Sequence, residues 1–232
     1  MLYNIQNFDD FVRHLLSAGF SLGGSADGIF SLVPWSWNEP APYDTPVKWH
    51  TGEPETDPWE WRMRVLEERS DIAYGKVFLR KSGFITREYY PLFLAVRRGK
   101  RSFDQTYADG EMRHECKRIY DVLRQQGALP LELLKAEAGF TKESKNAFDR
   151  ALQDLQMKLY VTLCGRNQRF FADGKEGWAS TVLTTTEAFW GQEVFAEAAE
   201  LTPEEAEARL FSRISALNPD ADAKKARKFI RG

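Results

Sequence analysis

Between about residues 109 and 185 the chain sets out an order of elements that few folds can accommodate. Met112, Cys116, Ile119, Tyr120 and Leu123 recur at three- and four-residue steps, the spacing that lines one face of a helix, and Gly127 ends the run. A shorter helical segment at 130–138 starts on Pro130 and stops at Gly139. A third, 142–157, turns Phe148, Leu152 and Leu155 to one side. The periodicity then changes: KLYVTLCG at 158–165 and WASTVLTT at 178–185 alternate like strands, separated by a polar stretch with an Asp-Gly pair. Three helices followed by a two-stranded hairpin make a winged helix-turn-helix.

Such a unit offers the outer face of its third helix to the major groove and lays its hairpin along the backbone. With Phe148 inward, 142–157 leaves Lys142, Asn146, Arg150, Gln153 and Met157 outward. Asn, Arg and Gln are the side chains that form paired hydrogen bonds with base edges. The hairpin adds Arg166, Asn167, Gln168 and Arg169, suited to phosphates or a groove. Asp149 and Asp154 flank the same face and repel phosphate. The competing reading of these residues is a solvated surface, or one that meets another protein.

The remaining chain is mostly helical by pattern. Residues 4–19 carry Ile5, Phe8, Phe11, Val12, Leu15 and Leu16 at helical steps, with acids where a signal peptide needs basic residues, so an amphipathic helix is expected and not a targeting segment. IFSLV at 29–33 reads as a strand, and the prolines at 40, 42, 46, 54 and 58 mark an irregular loop. Asp57 and Pro58 suit the start of a helix over 58–70. A strand near 74–79, a turn at Ser82-Gly83 and a helix over 86–97 capped by Thr86 follow, and the C-terminal part reads as helices near 187–199, 203–217 and 219–230. The expected fold is therefore mainly α with small β-hairpins, an α+β chain containing a winged helix-turn-helix. No run of about 18 apolar residues is present to span a membrane. Cys116 and Cys164 lie too far apart for a metal motif and read as free thiols of a cytoplasmic protein.

Two features speak to function. The net charge is −2, but charge clusters: eight basic residues against one acid between Lys76 and Arg101, and seven acids with no base between Glu187 and Glu207. Phosphate affinity follows clustering and not the total, so Arg97, Arg98, Lys100 and Arg101 are candidate phosphate contacts, while the interleaved aromatics fall at core spacing. The second feature is KWHTGEPETDPWEWR at 48–62. Its carboxylates Glu53, Glu55, Asp57 and Glu60 lie among tryptophans, where one could orient water or stabilise a sugar cation during cleavage of an N-glycosidic bond. On that reading Glu55 and Asp57 are the candidate catalytic carboxylates and His50 a proton or hydrogen-bond donor. Trp49, Trp59 and Trp61 would stack on an extruded base. Against it, proline-rich loops use tryptophan for packing and carboxylates suit a helix N-terminus. The histidines at 14, 50 and 114 are scattered, giving one metal ligand locally, so neither a metal site nor a cofactor is expected.

The run WHTGEPETDPWEWRMRVLEERSDIAYGKVF, with GFITREYYPLFLAVRRG, KRIYDVL and FDRALQDLQMKLYVTLCG, resembles the AlkZ-related proteins, bacterial relatives of winged-helix DNA glycosylases that excise alkylated or crosslinked bases. The resemblance covers about residues 45–190 and implies a tandem winged-helix body gripping double-stranded DNA. On that view 1–100 form a divergent first unit with the acidic Trp-rich loop, 105–190 the second, and 191–232 a helical tail. The active glycosylases carry a Gln-apolar-Gln or Gln-apolar-Asp triplet that holds the catalytic water. Here Gln153 and Gln156 have the wrong spacing and lie on the third helix, so no catalytic residue carries over. Three roles stay open: a base-excision glycosylase, a non-catalytic DNA-binding or regulatory module, and a protein-interaction scaffold.

Overall fold

The computed structural model describes residues 3–167 and 179–232. In chain order, the described elements are α1 (Phe8–Ala18), β1 (Phe20–Leu22), α2 (Pro58–Glu68), β2 (Ile72–Phe78), β3 (Lys81–Thr86), α3 (Tyr90–Arg97), α4 (Phe103–Ala108), α5 (His114–Gln126), β4 (Leu129–Pro130), α6 (Leu131–Glu137), α7 (Lys145–Met157), β5 (Val161–Asn167), β6 (Ser180–Thr185), α8 (Thr186–Trp190), α9 (Gln192–Ala199), α10 (Pro203–Leu217) and α11 (Ala223–Arg231). The α+β class is as the periodicities predict. The hairpins, however, do not stay separate and small. They merge into one six-stranded antiparallel sheet, ordered β1-β3-β2-β5-β6-β4. Its seam is the pairing of Tyr74 with Leu163, where Thr162 Oγ1 also donates to the Tyr74 carbonyl at 3.3 Å.

Two apolar clusters flank that seam. One is built from α1, the strands β1–β3, α2 and α3, and is completed by α9, α10 and α11. The other joins α4, α5, α6 and α7 to β4, β5 and β6. The C-terminal helices therefore belong to a core: Phe229 of α11 is fully buried and stacks on Phe78 with ring centroids 4.0 Å apart. Several starts follow from local chemistry. Asn7 caps α1, Ser102 with Gln105 closes a capping box on α4, and Thr202 with Glu205 does the same for α10.

Several local expectations shift. The segment 29–33 is buried but makes only one bridge, Leu22 to Ser31, and no strand. The β2–β3 turn is Leu79-Arg80, not Ser82-Gly83. Both turn residues have positive φ, 50° and 62°, the geometry that hairpins normally assign to Asn-Gly. Gly83 instead sits inside β3, where a Cβ would come within 2.8 Å of the Ser21 carbonyl oxygen and 2.4 Å of the Phe78 ring. The helix expected from residue 86 begins at Tyr90, because Thr86 still belongs to β3 and its N–H and hydroxyl both donate to the Gly19 carbonyl.

Candidate nucleic-acid interface

The acidic tryptophan loop is held together by its own most conspicuous residue. Asp57 is fully buried and caps α2. Its two oxygens accept the backbone N–H groups of His50 (3.0 Å), Thr51 (2.8 Å), Gly52 (2.9 Å) and Trp59 (2.8 Å). A carboxylate so encircled by backbone donors organises the loop and presents no lone pair to a substrate. Glu55 is exposed and pairs with Arg64 at 2.8 Å, and Glu60 pairs with Arg166 at 3.0 Å. Trp61 is in the core, stacked on Phe11 at 5.0 Å with its Nε1 donating to the Pro54 carbonyl, so it cannot stack on a base. Trp49 is half-buried and donates to the Trp35 carbonyl. Trp59 and His50 do reach solvent. Their rings are 4.8 Å apart, and the Arg62 guanidinium lies 3.3 Å over the Trp59 ring. The loop's density of aromatic and acidic residues thus reflects mainly its own construction.

The cationic link 97–101 is largely internal, against expectation. Arg97 is 8% exposed and donates to four carbonyls, those of Val77, Met157, Phe229 and Ile230, at 2.7–2.9 Å. Burial pulls its pKa down to about 9, which still leaves the guanidinium charged at neutral pH. It fastens β2, α7 and α11 together and has no face left for phosphate. Arg98 is equally buried, paired with Glu187 at 2.7 Å and stacked 4.1 Å over the Tyr160 ring. Arg101 pairs with Glu111. Of the four, Lys100 is exposed and makes no ion pair among the described residues. The wider charge asymmetry has the same explanation. The basic segment finds acids of this same chain: Arg87 meets Glu197 at 2.5 Å, Lys81 meets Asp27 at 3.3 Å, and Arg98 meets Glu187.

On α7 the N-terminal part of the expected outward row is exposed, while Gln153 and Met157 further along are half-buried. Asn146 and Arg150 are exposed, as is Lys142 just before the helix, while Phe148, Ala151, Leu152 and Leu155 are buried beneath. Asp149 is exposed on the same row. Gln153 is engaged elsewhere: its Nε2 donates to the Arg80 carbonyl at 2.9 Å and its Oε1 accepts from the Arg80 guanidinium at 3.3 Å. Gln156 is buried and accepts the Lys76 N–H at 2.8 Å. The two glutamines of LQDLQM therefore clamp α7 onto β2 and the β2–β3 turn. Arg166 is tied to Glu60 and Glu67 of α2 at 3.0 and 2.8 Å, which ties β5 to α2 and removes it from a backbone-contacting role. Gln168 and Arg169 lie outside the described residues.

Two groups of exposed cations owe their setting to the fold. One is the turn residue Arg80, brought beside the C-terminal half of α7 by Gln153 and by Asp154 at 3.8 Å. The other is on α11, whose lysines line a hollow together with Leu79 of that turn. Both groups are visible in the sequence as basic residues, Arg80 within the 76–101 cluster and Lys224, Lys225, Arg227, Lys228 and Arg231 at the C-terminal end, but their placement depends on the Leu79-Arg80 turn and the docking of α11.

A unit of three helices and a hairpin, sharing a sheet with a second α+β layer, is the class these elements define. Comparison with protein families matches the AlkZ related family over residues 5–231, and the chain belongs to it. No curated protein and no solved structure matches.

Proposed function

We propose that the protein binds double-stranded DNA through a winged helix-turn-helix made of α5, α6, α7 and the β5–β6 hairpin, with α7 as the helix that enters the major groove. The observation that carries this reading is the exposed row Lys142, Asn146 and Arg150, adjoining the cationic Leu79-Arg80 turn. Asn146 and Arg150 have the chemistry of base-edge readout, and Lys142 and Arg80 that of phosphate contact. Family membership supports the reading, since the resemblance is to proteins that handle damaged DNA. On the same view α1–α3 with β1–β3 form the first half of a tandem body, completed by α9–α11 rather than followed by a free tail.

Base excision is the finer activity that the resemblance brings with it. The geometry supports binding more strongly, because Asp57 and Glu55 have structural partners and the glutamine triplet of active relatives is absent. Asp149 beside the readout row and the paired basic segment fit modest, selective affinity in place of a general coat of positive charge. The test is fluorescence anisotropy of a labelled duplex titrated at several salt concentrations. Affinity is expected to fall steeply with salt, and Asn146→Ala with Arg150→Ala to weaken it by roughly ten-fold or more. A flat salt response would remove the DNA reading in favour of a protein scaffold.

A further inference from the structure

α11 carries Lys224, Lys225, Arg227, Lys228 and Arg231 within nine residues, and its Ala226, Phe229 and Ile230 face is buried. The helix is thus fixed by its apolar side, and its cations sort by what they meet. Arg227 and Arg231 lean on Glu207 of α10 at 4.0 and 2.9 Å. Lys225 meets Asp27 at 3.1 Å, and Lys81 meets the same carboxylate at 3.3 Å. Lys224 and Lys228 remain, exposed and without an ion pair among the described residues. They are one helical turn apart, about 6 Å along the axis.

Both lysines line a hollow of about 380 Å³ whose other walls are Lys225, Asp27, Asp222 and Leu79. The lining thus carries three lysines against two acids. Asp27 is bracketed by two lysines, and Asp222 caps α11 by accepting the Lys225 N–H at 2.7 Å. Leu79 belongs to the turn whose next residue, Arg80, is held against α7 by Gln153. The hollow and α7 therefore share the Leu79-Arg80 turn: Leu79 lines the one, and Arg80 contacts Gln153 and Asp154 of the other.

From this juxtaposition we infer that the α11 hollow seats the phosphodiester backbone of the DNA held by α7. Lys224 and Lys228 act there as point charges on successive phosphates, and Arg80 bridges the two surfaces. The inference rests on the DNA-binding reading and extends it to a surface outside the helix-turn-helix. Contacts of this kind fix register and add affinity without selecting sequence.

The experiment uses the full chain, a fluorescein-labelled duplex and anisotropy over a range of KCl. Lys224→Ala with Lys228→Ala should lower the slope of log affinity against log salt by about two, because each phosphate contact contributes close to one. Affinity at low salt should drop by roughly ten-fold or more for matched and unmatched sequences alike. Removing the same charge elsewhere, by Arg13→Ala with Arg209→Ala, should leave the slope unchanged. If the lysine pair changes nothing while the wild-type slope is steep, the α11 seat is wrong and the DNA reading stands. If the wild-type slope is itself flat, both fall. Lys224→Gln with Lys228→Gln, which removes the charge but keeps most of the side chain's bulk, should reproduce the alanine result. Recovery of the full slope in that pair would show that side-chain bulk and not charge was lost, and would overturn the assignment.

Discussion

Asp57 shows how a residue that looks chemical can be architectural. Burying a carboxylate is costly unless its lone pairs are matched, and here four backbone N–H groups match them. The surrounding loop adopts positive φ at His50 (62°) and Gly52 (77°) to bring those donors inward. Asp57→Ala removes the helix cap and strands buried donors together, so it should cost about 2 to 4 kcal/mol, read as a lower urea midpoint. A variant of unchanged stability would return Asp57 to the list of candidate catalytic groups. The cap itself was legible from Asp57-Pro58. The three further donors were not, because they depend on the loop folding back over seven residues. Arg97 makes the same point, since nothing in RRGKR separates a buried guanidinium from an exposed ammonium. That distinction is made by β2, α7 and α11 converging on it from far away in the chain.

Among elements, those governed by their own periodicity and caps were readable, and those governed by neighbours were not. α10 runs from Pro203 to Leu217 as its cap and apolar spacing dictate, and α5, α6 and α7 appear in the expected order. The β2–β3 turn was misplaced because Gly83 looks like a turn residue but serves close packing between strands. The pairing of basic and acidic segments was visible as two clusters, but not as a partnership. Arg87 joins the end of β3 to Glu197 on α9, and the guanidinium holds that carboxyl below its usual range. A lowered folded pKa gives stability that is present above the unfolded value and lost as pH falls through the folded one. Comparing wild type with Glu197→Gln by thermal melting should show a small deficit at neutral pH, no more than about 1 kcal/mol for so exposed a pair. That deficit should begin to shrink as pH falls past glutamate's ordinary value of about 4.3 and vanish only below the lowered folded value. A deficit that persists in acid would mean that the contact is held by packing and not by charge.

At the scale of the whole molecule, one sheet carries both apolar clusters, and the contacts across its seam orient α7. Tyr74 pairs with Leu163, Gln156 takes the Lys76 N–H, Gln153 grips Arg80 and Arg97 binds the Phe229 and Ile230 carbonyls, so α7, the cationic turn and α11 are tied together. The sequence pattern made the order α5, α6, α7, β5, β6 recognisable and left invisible the way α9, α10 and α11 join the other apolar cluster, because Phe229 meets Phe78 across about 150 residues of chain. We propose that DNA lies over α7, the Leu79-Arg80 turn and α11. The most direct measurement is amide hydrogen exchange with and without a short duplex. Added protection is expected at 142–157, 79–81 and 223–231, with 48–62 unchanged. Protection centred on 48–62, or none at all, would contradict it.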